Sequence, residues 1–136
     1  MTGRPAILVV DDEAIVALSL KRELLDEFGG RFLIETSLNA EDAIAVVDEL
    51  VRDGVKVILI ISDWLMPGMK GDEFLAVTKG KYPGTHCIIV SGQADPAAIE
   101  RARDLVELDA FIRKPWARRN LLDAVRGCVD VAGAAT

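Results

Sequence analysis

Short apolar runs alternate with amphipathic stretches along the whole chain. Ala6–Val10, Arg31–Thr36, Val57–Ser62, His86–Val90 and Asp109–Arg113 read as strands, several of them continuous enough in hydrophobicity to be buried on both faces of a parallel sheet. The segments between them carry helical spacing. In the first, Ala17, Leu20, Leu24 and Phe28 share one face while Arg22, Glu23, Asp26 and Glu27 reach solvent, and Gly29-Gly30 stops the helix. The second begins at Asn39, an N-cap followed by Glu41 and Asp42 near the positive helix end. It turns Ala43, Val46, Val47 and Leu50 inward and ends at Gly54. The third spans Asp72 to Lys79, with Phe74, Leu75 and Thr78 for packing and Gly80 and the turn Tyr82-Pro83-Gly84 as its stop. Asp95 caps the fourth and Pro96 occupies its first position, with Ile99, Ala102, Leu105 and Val106 as its inner side. A last helix follows Pro115 and presents Leu121, Leu122, Val125 and Val129. Residues 132–136 read as a tail or the start of a linker.

Strand and helix repeated in this way imply a doubly wound α/β fold, with a parallel sheet between two helical layers, because each right-handed crossover returns the chain to the same sheet edge. The expected strand order is 2-1-3-4-5. Strands one and three are then neighbours, and the reversal between them opens a ligand crevice at their carboxyl ends. Asp11 and Asp12 follow the first of these strands and Asp63 follows the other, so three carboxylates meet at one edge by topology alone. Like charges this close repel and push at least one carboxylate toward its protonated form. A hard divalent cation would relieve that repulsion.

Composition narrows the classes of function. With 136 residues, 51% of them hydrophobic, the chain has the size of one domain. A formal net charge of -6 leaves no general basic surface for a phosphate backbone, and the Arg118-Arg119 pair is too short to supply one, which argues against direct nucleic-acid binding. No apolar stretch approaches the roughly 18 residues needed to cross a bilayer. The reading is a soluble cytoplasmic protein with no membrane partner. Cys87 and Cys128 lie far apart without metal-site spacing and read as buried free thiols. His86 has no second histidine to work with and carries little weight as a ligand.

Two further polar groups stand at strand ends: Ser91 after Ile88-Ile89-Val90, and Lys114 after Phe111-Ile112-Arg113. Carboxylates holding a metal, joined by a hydroxyl and an ammonium, suit a phosphoryl group with its charged oxygens. No Walker loop or dinucleotide fingerprint accompanies them, so a nucleotide is not the expected ligand.

Asp11-Asp12-Glu13, the run Asp63-Trp64-Leu65-Met66-Pro67-Gly68-Met69-Lys70-Gly71, Val90-Ser91-Gly92 and Lys114-Pro115-Trp116 together resemble the receiver domain of two-component response regulators. The resemblance spans residues 4–131 and implies a flavodoxin-like (βα)5 three-layer sandwich. It implies that Asp63 is the phosphoacceptor and nucleophile, taking a phosphoryl group from a sensor histidine kinase, a histidine phosphotransfer protein or a small phosphodonor. It makes Asp12 and Asp63 direct ligands of Mg²⁺, Asp11 a ligand through water, and the backbone carbonyl of Leu65 another, an all-oxygen set of the kind Mg²⁺ takes. Lys114 would pair with the phosphoryl group, Ser91 would act as the switch hydroxyl, and Phe111 would be the switch aromatic. A downstream protein target is implied but not identified. The resemblance also allows a phosphorylation-induced homodimer through the fourth helix, fifth strand and fifth helix, and a cis Lys114-Pro115 bond.

Blander readings stand beside these. Glu13 serves as a helix-start acid, Ser91 alone is an ordinary turn serine, and Phe111 fits core packing as well as a switch. Trp64 and Trp116 read as packing and loop residues. Two features depart from the family pattern: Glu107-Leu108-Asp109-Ala110 stands where Gly-Ala is common, and an apolar Leu65, with Gln93, flanks the site where phosphoryl lifetime is set. A Mg²⁺-dependent aspartyl phosphatase or phosphotransferase acting on small molecules is the enzyme alternative, but it calls for a general acid two residues after the nucleophile, where Leu65 stands. A scaffold that works without phosphorylation is the third reading. On the main one the chain is a signalling switch and not an enzyme, catalysing only its own phosphorylation and dephosphorylation.

Overall fold

The computed structural model describes residues 3–92 and 96–134, with side chains through residue 130. Five strands form one parallel sheet in the order β2-β1-β3-β4-β5. They are β1 (Ala6–Val10), β2 (Leu33–Ser37), β3 (Val57–Ser62), β4 (His86–Ser91) and β5 (Ala110–Arg113). The helices are α1 (Ala14–Phe28), α2 (Ala40–Arg52), α3 (Gly71–Lys81), α4 (Pro96–Leu105) and α5 (Arg118–Ala134). The doubly wound topology expected from the sequence is thus present. Every residue of β1 and β3 is buried, because side chains on both sheet faces meet helices.

Strand alternation splits the core in two. Ile7, Val9, Ile61, Ile88 and Val90 pack against α1 and α5, whereas Leu8, Val10, Ile60, Cys87 and Ile89 pack against α2, α3 and α4. A bulge opposite Ala6 and Ile7 sends Ile58 to the same side as Leu59. The central strands are covered on both sides, and the outer strands β2 and β5 carry polar or charged residues at Glu35, Thr36 and Arg113.

Local chemistry explains most element boundaries. Gly29, at φ 57°, ends α1, and its N–H donates to the Leu25 carbonyl. The chain then makes a 3-10 turn over Gly29–Arg31, so β2 starts at Leu33 and not at Arg31, and Phe32 drops into the core against Phe28. The Asn39 side chain accepts the Asp42 N–H at 2.8 Å, as an N-cap should. Gly54 takes φ 82° just beyond α2.

Other boundaries differ from the sequence pattern. Gly80 does not stop α3, which continues to Lys81 because Lys81 and Tyr82 are anchored on α2: Lys81 Nζ lies 2.7 Å from both Asp48 oxygens and Tyr82 donates its hydroxyl to Asp48 at 2.6 Å. In α4, Ala98 and Ala102 face the sheet while Leu105 stays 53% exposed, since the small residues permit close approach and turn Leu105 outward. Asp95, expected as its cap, and Gln93 lie outside the described residues. Helix α5 extends through Ala134, so the expected tail begins as helix, in keeping with its alanine content. Leu121, Leu122, Val125 and Val129 of α5 are buried as the spacing predicts. Charged pairs join α5 to α1 on the surface, Arg118 with Asp26 and Arg126 with Glu27, and Trp116 Nε1 donates to Glu23 at 2.8 Å.

Both cysteines are free and buried, and burial pushes each thiol up to about 12. The hydrogen bonds from Lys81 and Tyr82 hold the Asp48 carboxyl below its ordinary range. The same Asp48 contact raises the Tyr82 phenol above its ordinary value of 10.0. That contact therefore favours the fold below the ordinary phenol range and is lost as pH rises through the raised value. Tyr82 is the only tyrosine in the chain. An ultraviolet titration of the tyrosinate band should show it ionising above the free phenol, with Asp48→Asn bringing the midpoint back down.

Candidate functional site

The ladders of the sheet continue one residue past the strand ends, and the polar groups stand on that extra step. Asp11 N–H donates to the Ser37 carbonyl at 3.1 Å, Asp63 N–H to Val10 at 2.8 Å, and Lys114 N–H to Ser91 at 3.0 Å. Asp11, Asp63 and Lys114 are thereby fixed along the carboxyl edge of the sheet. Ser91, buried, ends the strand lying between those that carry Asp63 and Lys114.

Lys114 Nζ donates to Asp11 Oδ2 at 2.7 Å and stands 3.4 Å from Asp63 Oδ2. Asp11 Oδ1 accepts the Glu13 N–H at 2.9 Å, and Asp63 Oδ1 accepts the Trp64 N–H at 2.7 Å. Asp11 is 1% and Asp63 7% exposed, whereas Asp12 faces solvent. Burial raises the Asp63 carboxyl above its ordinary range. Lys114 pulls it back down, and the Asp11 charge raises it again. For Lys114, burial disfavours the ammonium, but the hydrogen bond and charge of Asp11, with Asp63, outweigh it and hold the group above its ordinary value. One cation thus sits among several anions.

Carboxylate oxygens of Asp11, Asp12 and Asp63 lie within 4.8 Å of one another. This donor set is all oxygen, three negative charges face one ammonium, and the exposed Asp12 leaves a way in from solvent. The residues present therefore fit a hard divalent cation. Leu65, the other ligand implied through its carbonyl, lies on the loop beside them with its side chain 46% exposed.

Glycine controls the floor of this loop. The Gly71 N–H donates to the Trp64 carbonyl at 2.7 Å, and a Cβ built on Gly71 would stand 2.1 Å from the Asp63 carbonyl oxygen. No side chain can be tolerated there without moving the backbone at Asp63. Trp64 is 7% exposed and meets Phe111 edge to face, with centroids 6.3 Å apart and planes at 86°. Among the described residues its indole N–H has no acceptor. Phe111 itself is partly buried on the α2–α3–α4 side. The Lys114-Pro115 bond is cis.

Asp11, Asp63 and Ser91 are thus buried at this edge, Lys114 is partly buried there, the exposed Asp12 brings its carboxylate to the same cluster, and Leu65 lies on the loop that borders it. Phe111 is joined to it through Trp64. The importance of Gly71 was missed, although a glycine opening a helix directly after the loop that follows Asp63 was a visible signal for close backbone approach. Also missed was a second constellation, His86 with Asp109 and Cys128, at the opposite sheet edge.

Comparison with known proteins agrees with this geometry. The family model described as "Response regulator receiver domain" matches residues 7–126. The hydrogenase transcriptional regulatory protein HoxA of Cupriavidus necator is 35% identical over 127 residues, covering 93% of this chain and 24% of that protein. A signal receiver domain of an HD domain-containing protein from Pseudomonas fluorescens superposes with a TM-score of 0.83 at 27% identity, over 97% of this chain and 99% of that one. A CheY-like response regulator receiver domain protein from Methanospirillum hungatei gives 0.82 at 27% identity, over 98% and 100%. The chain spans 24%, 13% and 28% of the length of the first three curated relatives it matches. Among the described residues, no helix is long and apolar enough to cross a membrane.

Replacing Gly71 with alanine should lower stability by roughly 1–3 kcal/mol, the usual cost of overpacking. Urea denaturation would measure it. Gly84→Ala, where an added Cβ meets nothing within 4 Å, is the control that should leave stability nearly unchanged.

Proposed function

Because the chain belongs to the response regulator receiver domain family, we propose that it is a phosphorylation-controlled switch of a two-component phosphorelay, with Asp63 as the acceptor. The observation that carries this reading is the edge where Asp63 lies beside Asp11 under a shared Lys114 ammonium. Receiver domains interact with histidine kinases and downstream effectors, and the donor proposed here is a phosphohistidine of a kinase or phosphotransfer protein. An Asp63 carboxylate oxygen attacks phosphorus, the P–N bond breaks, and the departing imidazole takes up a proton. Burial supports the attack by making this carboxylate more basic than an exposed one.

Asp11, Asp12 and Asp63, with the Leu65 carbonyl, would hold Mg²⁺, which when bound supplies positive charge to the phosphoryl oxygens. Lys114 would move from the carboxylates to the new acyl phosphate, whose added charge offers it a stronger partner. Ser91 would donate its hydroxyl to the same group, and Phe111, already touching Trp64, would follow the rearrangement. This is a two-state element biased by a local change of charge, with α4, β5 and α5 as its readout face and the surface of a phosphorylation-induced homodimer. On this reading the chain acts in the cytoplasm, catalyses nothing beyond its own phosphorylation and dephosphorylation, and passes its state to a protein target.

Incubation with acetyl phosphate and Mg²⁺ should add one phosphoryl group to the intact mass. The adduct should be absent with EDTA and absent in Asp63→Ala; a wild type that gains no mass from this donor or from a cognate kinase would overturn the reading. The adduct should also decay slowly, over many minutes or longer, because the exposed and apolar Leu65 cannot hold an attacking water. Leu65→Gln should shorten its lifetime several-fold, measured as phosphate release.

A further inference from the structure

The end of the sheet away from Asp63 carries a group of side chains that phosphoryl transfer does not use. His86 opens β4, Asp109 immediately precedes β5, and Cys128 lies on α5. One ligand atom of each lies within 4.8 Å of the others. His86 Nδ1 and Asp109 Oδ1 are 2.9 Å apart, and their side chains are 25% and 30% exposed. Cys128 is buried at 3% exposure on the α1–α5 side of the sheet, the side to which His86 belongs by strand alternation with Ile88 and Val90. Cys87 faces the other side.

We propose that His86, Asp109 and Cys128 form a second metal site, which takes a borderline-soft divalent cation, Zn²⁺ by preference. Its donors are one imidazole nitrogen, one carboxylate oxygen and one thiolate sulfur. That mixture suits zinc and differs from the all-oxygen cluster at the carboxyl edge, which suits a hard ion.

The geometry is close to what tetrahedral coordination needs. Two atoms 2.9 Å apart, each about 2.0–2.1 Å from a zinc ion, subtend roughly 90° at the metal, and opening them by a few tenths of an ångström gives the tetrahedral angle. The sulfur must come within about 3.6 Å of the other donors. From at most 4.8 Å that is a side-chain adjustment, not a backbone one. The exposed flank at His86 and Asp109 leaves the fourth position to water, as in zinc sites with three protein ligands.

Asp109 is held for this role. Its second oxygen accepts the Cys87 N–H at 2.8 Å, which fixes the carboxylate against β4 whether or not a metal is bound. The nearby Lys79 ammonium is engaged by the Glu107 carbonyl at 3.1 Å. On binding, His86 takes the tautomer with its proton on Nε2, exchanged through solvent, which frees Nδ1 to ligate zinc, and the Cys128 thiol releases its proton to solvent as the Zn–S bond forms. The ion would tie β4, the turn into β5 and α5 together at one point. Of these, α5 belongs to the proposed readout face, and the turn leads directly into β5, which also belongs to it.

Co²⁺ is the spectroscopic probe. It is added to metal-free protein in excess Mg²⁺, which keeps the Asp11, Asp12 and Asp63 cluster occupied. One equivalent should produce a thiolate-to-cobalt charge-transfer band with tetrahedral visible absorption, and Zn²⁺ should displace it and raise the melting temperature by several degrees. Cys128→Ser should abolish the charge-transfer band. His86→Gln, at a partly exposed position that tolerates change, should weaken binding at least tenfold with the fold intact by circular dichroism. A wild type without the band, or a band that survives in Cys128→Ser or keeps its affinity in His86→Gln, overturns the proposal.

Discussion

Two buried carboxylates share one ammonium, and the rest of the molecule is arranged around that imbalance. Asp11 and Asp63 are nearly excluded from water, yet among the described residues Lys114 is the one cation paired with both of them. Burying unbalanced charge is among the most costly things a fold can do. Here the cost is borne by the covered sheet. Strands β1 and β3 are buried throughout, and their ladders run one step past the strand ends to hold the backbone of each acid. The raised Asp63 carboxyl is the trace that this burial leaves, with the Asp11 charge adding to it. A site so biased responds to any ligand that alters its charge.

The route from this edge to the surface is short. Trp64 follows Asp63, gives its backbone N–H to the Asp63 carboxylate, and meets Phe111 of β5 edge to face. Movement of the Asp63 carboxylate therefore acts on a backbone group whose side chain touches β5. Gly71 closes the loop from beneath, where only hydrogen fits. The loop therefore has little freedom to absorb a displacement locally.

The topology and the acidic edge were legible because they follow from strand-length apolar runs, three of which are followed directly by a charged residue, Asp11, Asp63 or Lys114. Lys114 could be placed for the same reason. What was hidden depended on distances between elements. The continuation of α3 past Gly80 needs Asp48 of α2 to receive Lys81 and Tyr82. The outward turn of Leu105 needs Ala98 and Ala102 to be the better fit against the sheet. Helical spacing alone cannot rank those faces. His86, set aside because it was a lone histidine, proved to have partners remote in sequence. The unusual Asp109 beside β5 was the only trace of them in the linear pattern.

The outer strands also set how this molecule can meet others. β2 and β5 span five and four residues. β2 carries Glu35 in its middle, and β5 is followed directly by Lys114 and a cis proline. A short, charged border gives an incoming strand few backbone groups to pair with and places a like or desolvated charge in its path. Association by extending the sheet is thereby disfavoured. The surface open to contact is then that of the helical layers, whose exposed side chains can change one at a time without altering the buried sheet that holds Asp11 and Asp63 in place.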